Sequence, residues 1–226
     1  MFKIILFTLL SLPLWAGFFP STVHTSVKSV HGNSVTLNSS FPRNGMSGVI
    51  VHRYSSELSA INGRLIQTSA GRAKIVHQNI IHHDNLPSVN TKVSPNDKVI
   101  GGYLYKNVLL LAPSRDVYKR ITSRSSKNWI HPDLFAVFLS SNGYNKVTKA
   151  NLKEFAKSHQ VGLIYIVKRN KAILLDPISS KVVGSRAISN LPSRGQFPFY
   201  MRFDKLSSGW FSSEAKGNYY SGVGSI

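Results

Sequence analysis

Neighbouring imidazoles and a carboxylate are the residues of this chain whose types and spacing could hold a metal. His82, His83 and Asp84, with His77 shortly before them, are donors of the kind that bind zinc or copper. In an extended segment, however, His82 and His83 point to opposite faces and cannot share one ion. The group reads as the polar end of a loop. Carboxylates come next, because a pair of them can act as general acid and base. The chain has only 9 Asp and Glu, and Asp97, Asp116, Asp133 and Asp176 each fall at a turn or a helix start. A carboxylate there caps backbone N–H groups, which explains it without catalysis. Cysteine is absent, so thiol chemistry and a disulfide framework are both excluded. No phosphate-binding loop, dinucleotide fingerprint, metalloprotease helix or nucleophile elbow is present. These residues predict a protein that is not an enzyme and carries no cofactor.

The basic residues point elsewhere. Lys and Arg number 28, for a formal charge of +19 over 226 residues, which suits an acidic partner. Two groups stand out as docking surfaces. Lys149, Lys153 and Lys157 recur every four residues and share one face of a helix. Lys168, Arg169 and Lys171 crowd one turn, and Lys216 adds a cation near the end.

These side chains must be positioned by elements that the sequence also signals. MFKIILFTLLSLPLWA has a short basic start, an apolar run and a small residue, Ala16, before a cleavage point. It reads as a signal peptide over residues 1–16, too short to span a bilayer comfortably. The chain is therefore expected to be exported to the periplasm, envelope or cell surface, with no membrane span after cleavage. Export argues against a nucleic-acid partner. A cytoplasmic nucleic-acid binder would require that reading to be wrong.

Residues 17–105 are rich in short strand patterns. Gly32-Asn33 marks a hairpin between VKSV and SVTL, SGVIVHRY is a further strand, and Ser69-Ala70-Gly71 breaks the next pair. DKVIGGYLYKNVLLLAP reads as a hairpin turning near Lys106-Asn107. A β-rich, partly closed barrel is expected here. Residues 106–188 change character. Ser114 caps one helix, and Pro132 starts a second that is apolar almost all round and so predicted to be deeply buried. Thr148 caps a third, whose Leu152, Phe155, Ala156 and His159 form one face. Val161–Val167 and Ala172–Leu175 then form a buried hairpin with Lys168, Arg169 and Lys171 at its tip. The fold class is α+β: the barrel-like unit, then an α/β layer of about three helices on a small sheet. Residues 189–226 form a Ser-, Gly- and aromatic-rich tail whose rings imply partial packing.

Read in order, LLLAP, Tyr118, Trp129-Ile130, Asp133-Leu134 and Phe138-Leu139 lead to Ala150-Asn151-Leu152, then Val161-Gly162 and Ile164–Val167. This series, with PFYMR and WFSSEAKGNYY later, resembles the N-terminal domain family of the plasminogen-binding protein PgbA of Helicobacter-type bacteria. The resemblance implies an exported, envelope- or surface-associated binding protein whose partner is plasminogen or an envelope protein. Kringle modules take a lysine ammonium, best beside a free C-terminal carboxylate, and family members present one on a Lys- and Glu-rich tail. This sequence ends in Ile226, so any plasminogen binding is expected to use internal lysines. The alternative is a structural or accessory part of a periplasmic assembly such as the flagellar motor.

Overall fold

A computed structural model describes residues 17–76, 91–144, 146–203 and 217–226. The predicted signal peptide, the His77–Asp84 group and Lys216 lie outside the described residues.

Six strands form the first unit: β1 (Val23–His31), β2 (Ser34–Leu37), β3 (Ser47–Arg53), β4 (Ser59–Ser69), β5 (Arg72–Val76) and β6 (Lys98–Gly101). They pair antiparallel in the order β1-β2-β5-β4-β3-β6, and β6 returns to β1, so the barrel is closed rather than partly open. Gly32 makes the β1–β2 turn with φ +58°, as its place between VKSV and SVTL implies. Alternation fills the interior: Val35 and Leu37 on β2, Ala73 and Ile75 on β5, with Val27, Ile50, Leu65 and Val99, are all buried. Closure depends on two facing glycines. Gly48 pairs with Gly101, and the Phe41 ring lies so close over them that a Cβ on Gly101 would sit 2.4 Å from it. Gln67, 1% exposed, holds the loop that carries that ring. Its Oε1 accepts from the Phe41 N–H at 2.6 Å, and its Nε2 donates to the Phe41 carbonyl at 3.1 Å.

The second unit runs β7 (Asn107–Leu111), α1 (Arg115–Thr122), β8 (Asn128–Ile130), α2 (Pro132–Ser141), α3 (Lys149–Ser158), β9 (Leu163–Val167), β10 (Lys171–Asp176), β11 (Lys181–Ala187) and α4 (Tyr219–Gly222). The sheet order is β11-β10-β9-β7-β8. β7 lies between parallel β8 and parallel β9, and β10 pairs antiparallel with both β9 and β11. Val108–Leu111 and Leu163–Val167 are fully buried, the continuous apolar run that a strand covered on both faces requires. The helix starts match their signals. Ser114 accepts from the Val117 N–H, and Thr148 and Asn151 form a capping box.

Three expectations are corrected. DKVIGGYLYKNVLLLAP is not a hairpin: β6 ends in the barrel, Gly102 and Leu104 take positive φ, and β7 opens the other sheet. Two apolar runs around a polar turn look alike in either case, and the buried surroundings of β7 decide between them. α2 is not buried all round, since Leu134 and Val137 are 50% and 44% exposed while Phe135, Ala136 and Leu139 are buried. β8 and β11 also add to the hairpin. β11 is an edge strand carrying Lys181 and Arg186, the charged pattern by which exposed edges avoid further pairing.

The described parts of the C-terminal region close the end of β7. Tyr200 and Gln196 donate backbone N–H groups to the carbonyls of Ala112 and Pro113, and the buried Tyr219 hydroxyl donates to the Leu111 carbonyl at 2.7 Å. At the other end of the chain, Phe18 lies edge-on to Tyr165 and under the Arg186 guanidinium.

A buried carboxylate ties the two units together. Asp176, at the end of β10, is 0% exposed. Its Oδ2 accepts from the Ser47 N–H at 2.8 Å, the Ser47 hydroxyl at 2.6 Å and the Tyr105 hydroxyl at 2.7 Å. Its Oδ1 accepts from the N–H groups of Ile178 and Ser179. The turn-capping role expected of Asp176 is one half of this arrangement. The other half reaches 129 residues back to the barrel. Burial, and then the adjacent carboxylate, push the Tyr105 hydroxyl well above its ordinary pKa, so it stays a donor.

Candidate functional site

The basic residues singled out by type and spacing separate into two places. Lys149 is the first residue of α3, and Lys168 and Lys171 flank the tip of the β9–β10 hairpin. Partial burial lowers the Lys168 pKa, and the charges of Lys171 and then Lys149 lower it further. Three ammonium groups from two elements therefore lie within electrostatic reach of one another. The Lys168 ammonium donates to the main-chain oxygens of Gly224 and Ile226, at 3.3 Å each. Arg169 turns its guanidinium onto the Tyr220 ring, 5.0 Å from the centroid, where it holds the C-terminal segment. Lys149 and Lys171 are exposed. Among the described residues, no Asp or Glu side chain forms an ion pair with Lys149, Lys168 or Lys171.

The α3 stripe is divided by the packing around it. With a rise of about 1.5 Å per residue, Lys157 lies about 12 Å along the helix from Lys149. It belongs not to the hairpin cluster but to the wall of a cleft of about 760 Å³ between the barrel and α3. Lys153 is half-buried between the two.

A third group carries polar chemistry that the residue patterns did not mark as a site. The rings of Tyr118, His131 and Tyr200 meet at the C-terminal end of β8, with centroids 5.0, 5.5 and 5.9 Å apart. His131 precedes Pro132 and caps α2: its Nδ1 accepts from the Asp133 N–H at 3.2 Å. The same nitrogen lies 3.1 Å from Asp133 Oδ1, a contact that needs a proton on Nδ1. Burial is the largest influence on this ring and lowers its pKa, so the neutral, capping form prevails at neutral pH. Arg202 completes the group, its Nε donating to Asp133 Oδ2 at 2.6 Å and its N–H to Oδ1 at 3.0 Å. Tyr118 is pushed up by burial and then by Tyr200. All these polar groups serve to join α1, α2 and residues 198–202. Among the described residues, no cluster of three or more His, Cys, Asp or Glu could hold a metal ion. No helix there is long and apolar enough to cross a membrane.

Comparison with known proteins bears on residues 22–222, which match the model of the family described as plasminogen-binding protein PgbA N-terminal. The chain belongs to this family. Two proteins called plasminogen-binding protein PgbA, from two strains of Helicobacter pylori, are similar to it. One is 24% identical over 78% of this chain and 40% of its own length. The other is 27% identical over 60% of this chain and 31% of its own length. The chain thus spans less than half of these relatives. No solved structure matches it significantly.

The residues that carry the PgbA N-terminal resemblance are residues of the fold. Asn151 closes the α3 capping box, and Ile164–Val167 is the central strand β9. Gly162 is required by contact, since a Cβ there would sit 2.1 Å from the Leu104 carbonyl oxygen. Trp129 donates its indole N–H to the Ser125 carbonyl at 3.1 Å. The shared series therefore specifies an architecture, and the exposed lysines lie outside it.

Proposed function

We propose that this chain is an exported, non-enzymatic binding protein that docks a protein partner on the cluster of Lys149, Lys168 and Lys171, with plasminogen as the first partner to test. The observation that carries this reading is the crowding of Lys168 by two like charges from separate elements. Such a concentration of positive charge costs folding energy and is repaid by an acidic partner. Lys149 and Lys171 expose their ammonium groups, the moiety that a kringle pocket takes. Lys153, Lys157, Arg169 and Lys216 extend the basic surface in this reading. The name of the Helicobacter pylori relatives supports plasminogen as the ligand.

The test is capture of plasminogen by the immobilised chain, followed by elution with a free lysine analogue. Capture that the analogue reverses supports the reading. Absence of capture, or capture indifferent to the analogue, overturns it.

A further inference from the structure

The cleft between the barrel and α3 is separate from the hairpin cluster, and its lining is of another kind. Val49 of β3, Leu104 of the inter-unit turn, Phe138 of α2 and Val161 before β9 give it apolar walls. Arg64 of β4 and Lys157 of α3 bring two cations to the same space. Its volume, about 760 Å³, falls within the range of small-molecule sites, roughly 300–1,000 Å³.

We propose that this cleft binds a monoanionic amphiphile, its acidic head on Arg64 and Lys157 and its apolar body against Val49, Leu104, Phe138 and Val161. Three observations argue for that chemistry. First, Arg64 is a half-buried cation, and burial lowers its pKa despite the opposing charge of Asp176. A guanidinium has five N–H donors in a fork suited to a carboxylate or sulfonate, so it can serve a ligand beside its protein contacts. Second, the apolar residues come from β3, α2 and the turn between the units, so they surround a body rather than present a flat patch. Third, one carboxylate, Glu154, also lines the cleft, three residues from Lys157 on α3. Its Oε2 already accepts from the Tyr144 hydroxyl at 2.6 Å. It offsets one cation and disfavours a second negative charge on the ligand, which selects a monoanion over a phosphate dianion.

The experiment uses the full chain and 8-anilinonaphthalene-1-sulfonate, an aromatic monoanion whose fluorescence rises in apolar sites. Dodecanoate, dodecanol and dodecyltrimethylammonium serve as competitors. The expected result is saturable binding of one probe molecule, displaced by dodecanoate and at least about tenfold less well by the alcohol or the cation, the loss of one charge-assisted contact. Arg64→Gln should weaken probe binding by about the same factor. Ser158→Trp, at an exposed position on the cleft wall, should abolish it with the far-UV circular dichroism and the urea midpoint of the fold retained. If Arg64→Gln fails to fold, the Ser158→Trp variant and the competitor series decide the matter alone. No saturable binding, equal displacement by all three competitors, or unchanged binding in Ser158→Trp would overturn the proposal.

Discussion

Replacing Asp176 by Asn tests how the two units are joined. The carboxylate takes five hydrogen bonds, three on Oδ2 and two on Oδ1. An amide has one acceptor oxygen, so one side must now present N–H groups to donors. The cheaper orientation keeps the oxygen on Ile178 and Ser179. The hydroxyls of Ser47 and Tyr105 can then rotate to accept, but the Ser47 N–H is left facing the amide nitrogen. A stranded buried donor costs about 1–3 kcal/mol, and each hydroxyl that exchanges a charged partner for a neutral one loses about 1 kcal/mol. The total is about 3–5 kcal/mol, a large share of the roughly 5–15 kcal/mol of an ordinary domain. Urea unfolding followed by far-UV circular dichroism should show a midpoint about 1.5–2.5 M lower, for a slope of roughly 2 kcal/mol/M. Tyr105→Phe should cost about 1–2 kcal/mol in the native background and less beside Asp176→Asn, because the two changes remove the same interaction. An Asp176→Asn loss under about 0.5 kcal/mol, or an equal Tyr105→Phe cost in both backgrounds, would refute this account of the junction.

Other substitutions test neighbouring parts of the argument. Gln67→Leu strands the buried Phe41 N–H and carbonyl and should lower the unfolding free energy by about 2–4 kcal/mol, measured in urea. Gly162→Ala drives a Cβ into the Leu104 carbonyl and should cost at least about 2 kcal/mol, read from the thermal midpoint. His131 has a lowered pKa in the fold, so between neutral pH and the folded pKa the unfolded chain binds more protons. Stability should therefore fall as the pH drops below about 6.5. His131→Asn keeps a cap and removes the titration, so its melting temperature should fall less than that of the native chain between pH 7 and pH 5. An identical pH profile for the two would count against the neutral His131 cap.

Local signals were legible in the amino-acid sequence, and contacts distant in the chain were not. The β9–β10 hairpin follows from a β-branched and aromatic run, a charged turn and a second apolar run. The caps Ser114 and Thr148 follow from side chains that compete for helix N–H groups. The step from β6 in one sheet to β7 in the other has no local mark, because the apolar pattern shows burial but not which sheet provides it. β11 was hidden by the charges of an edge. At the site, Lys168, Arg169 and Lys171 were visible as one turn. That Lys149 joins them, that Lys157 does not, and that Arg169 is held by Tyr220 depend on how α3 and residues 217–226 pack. The Asp176–Ser47 contact and the His131–Tyr200–Arg202 group span dozens of residues and have no signature in spacing.

The central claim is that a partner docks on Lys149, Lys168 and Lys171. Its most direct test is the plasminogen affinity of the triple variant Lys149→Gln/Lys168→Gln/Lys171→Gln against the native chain, with both shown to be folded. The account predicts an affinity at least about tenfold weaker in the variant, with a smaller dependence on salt, as for the loss of charges at an interface. Equal affinity with an unchanged salt dependence would contradict it.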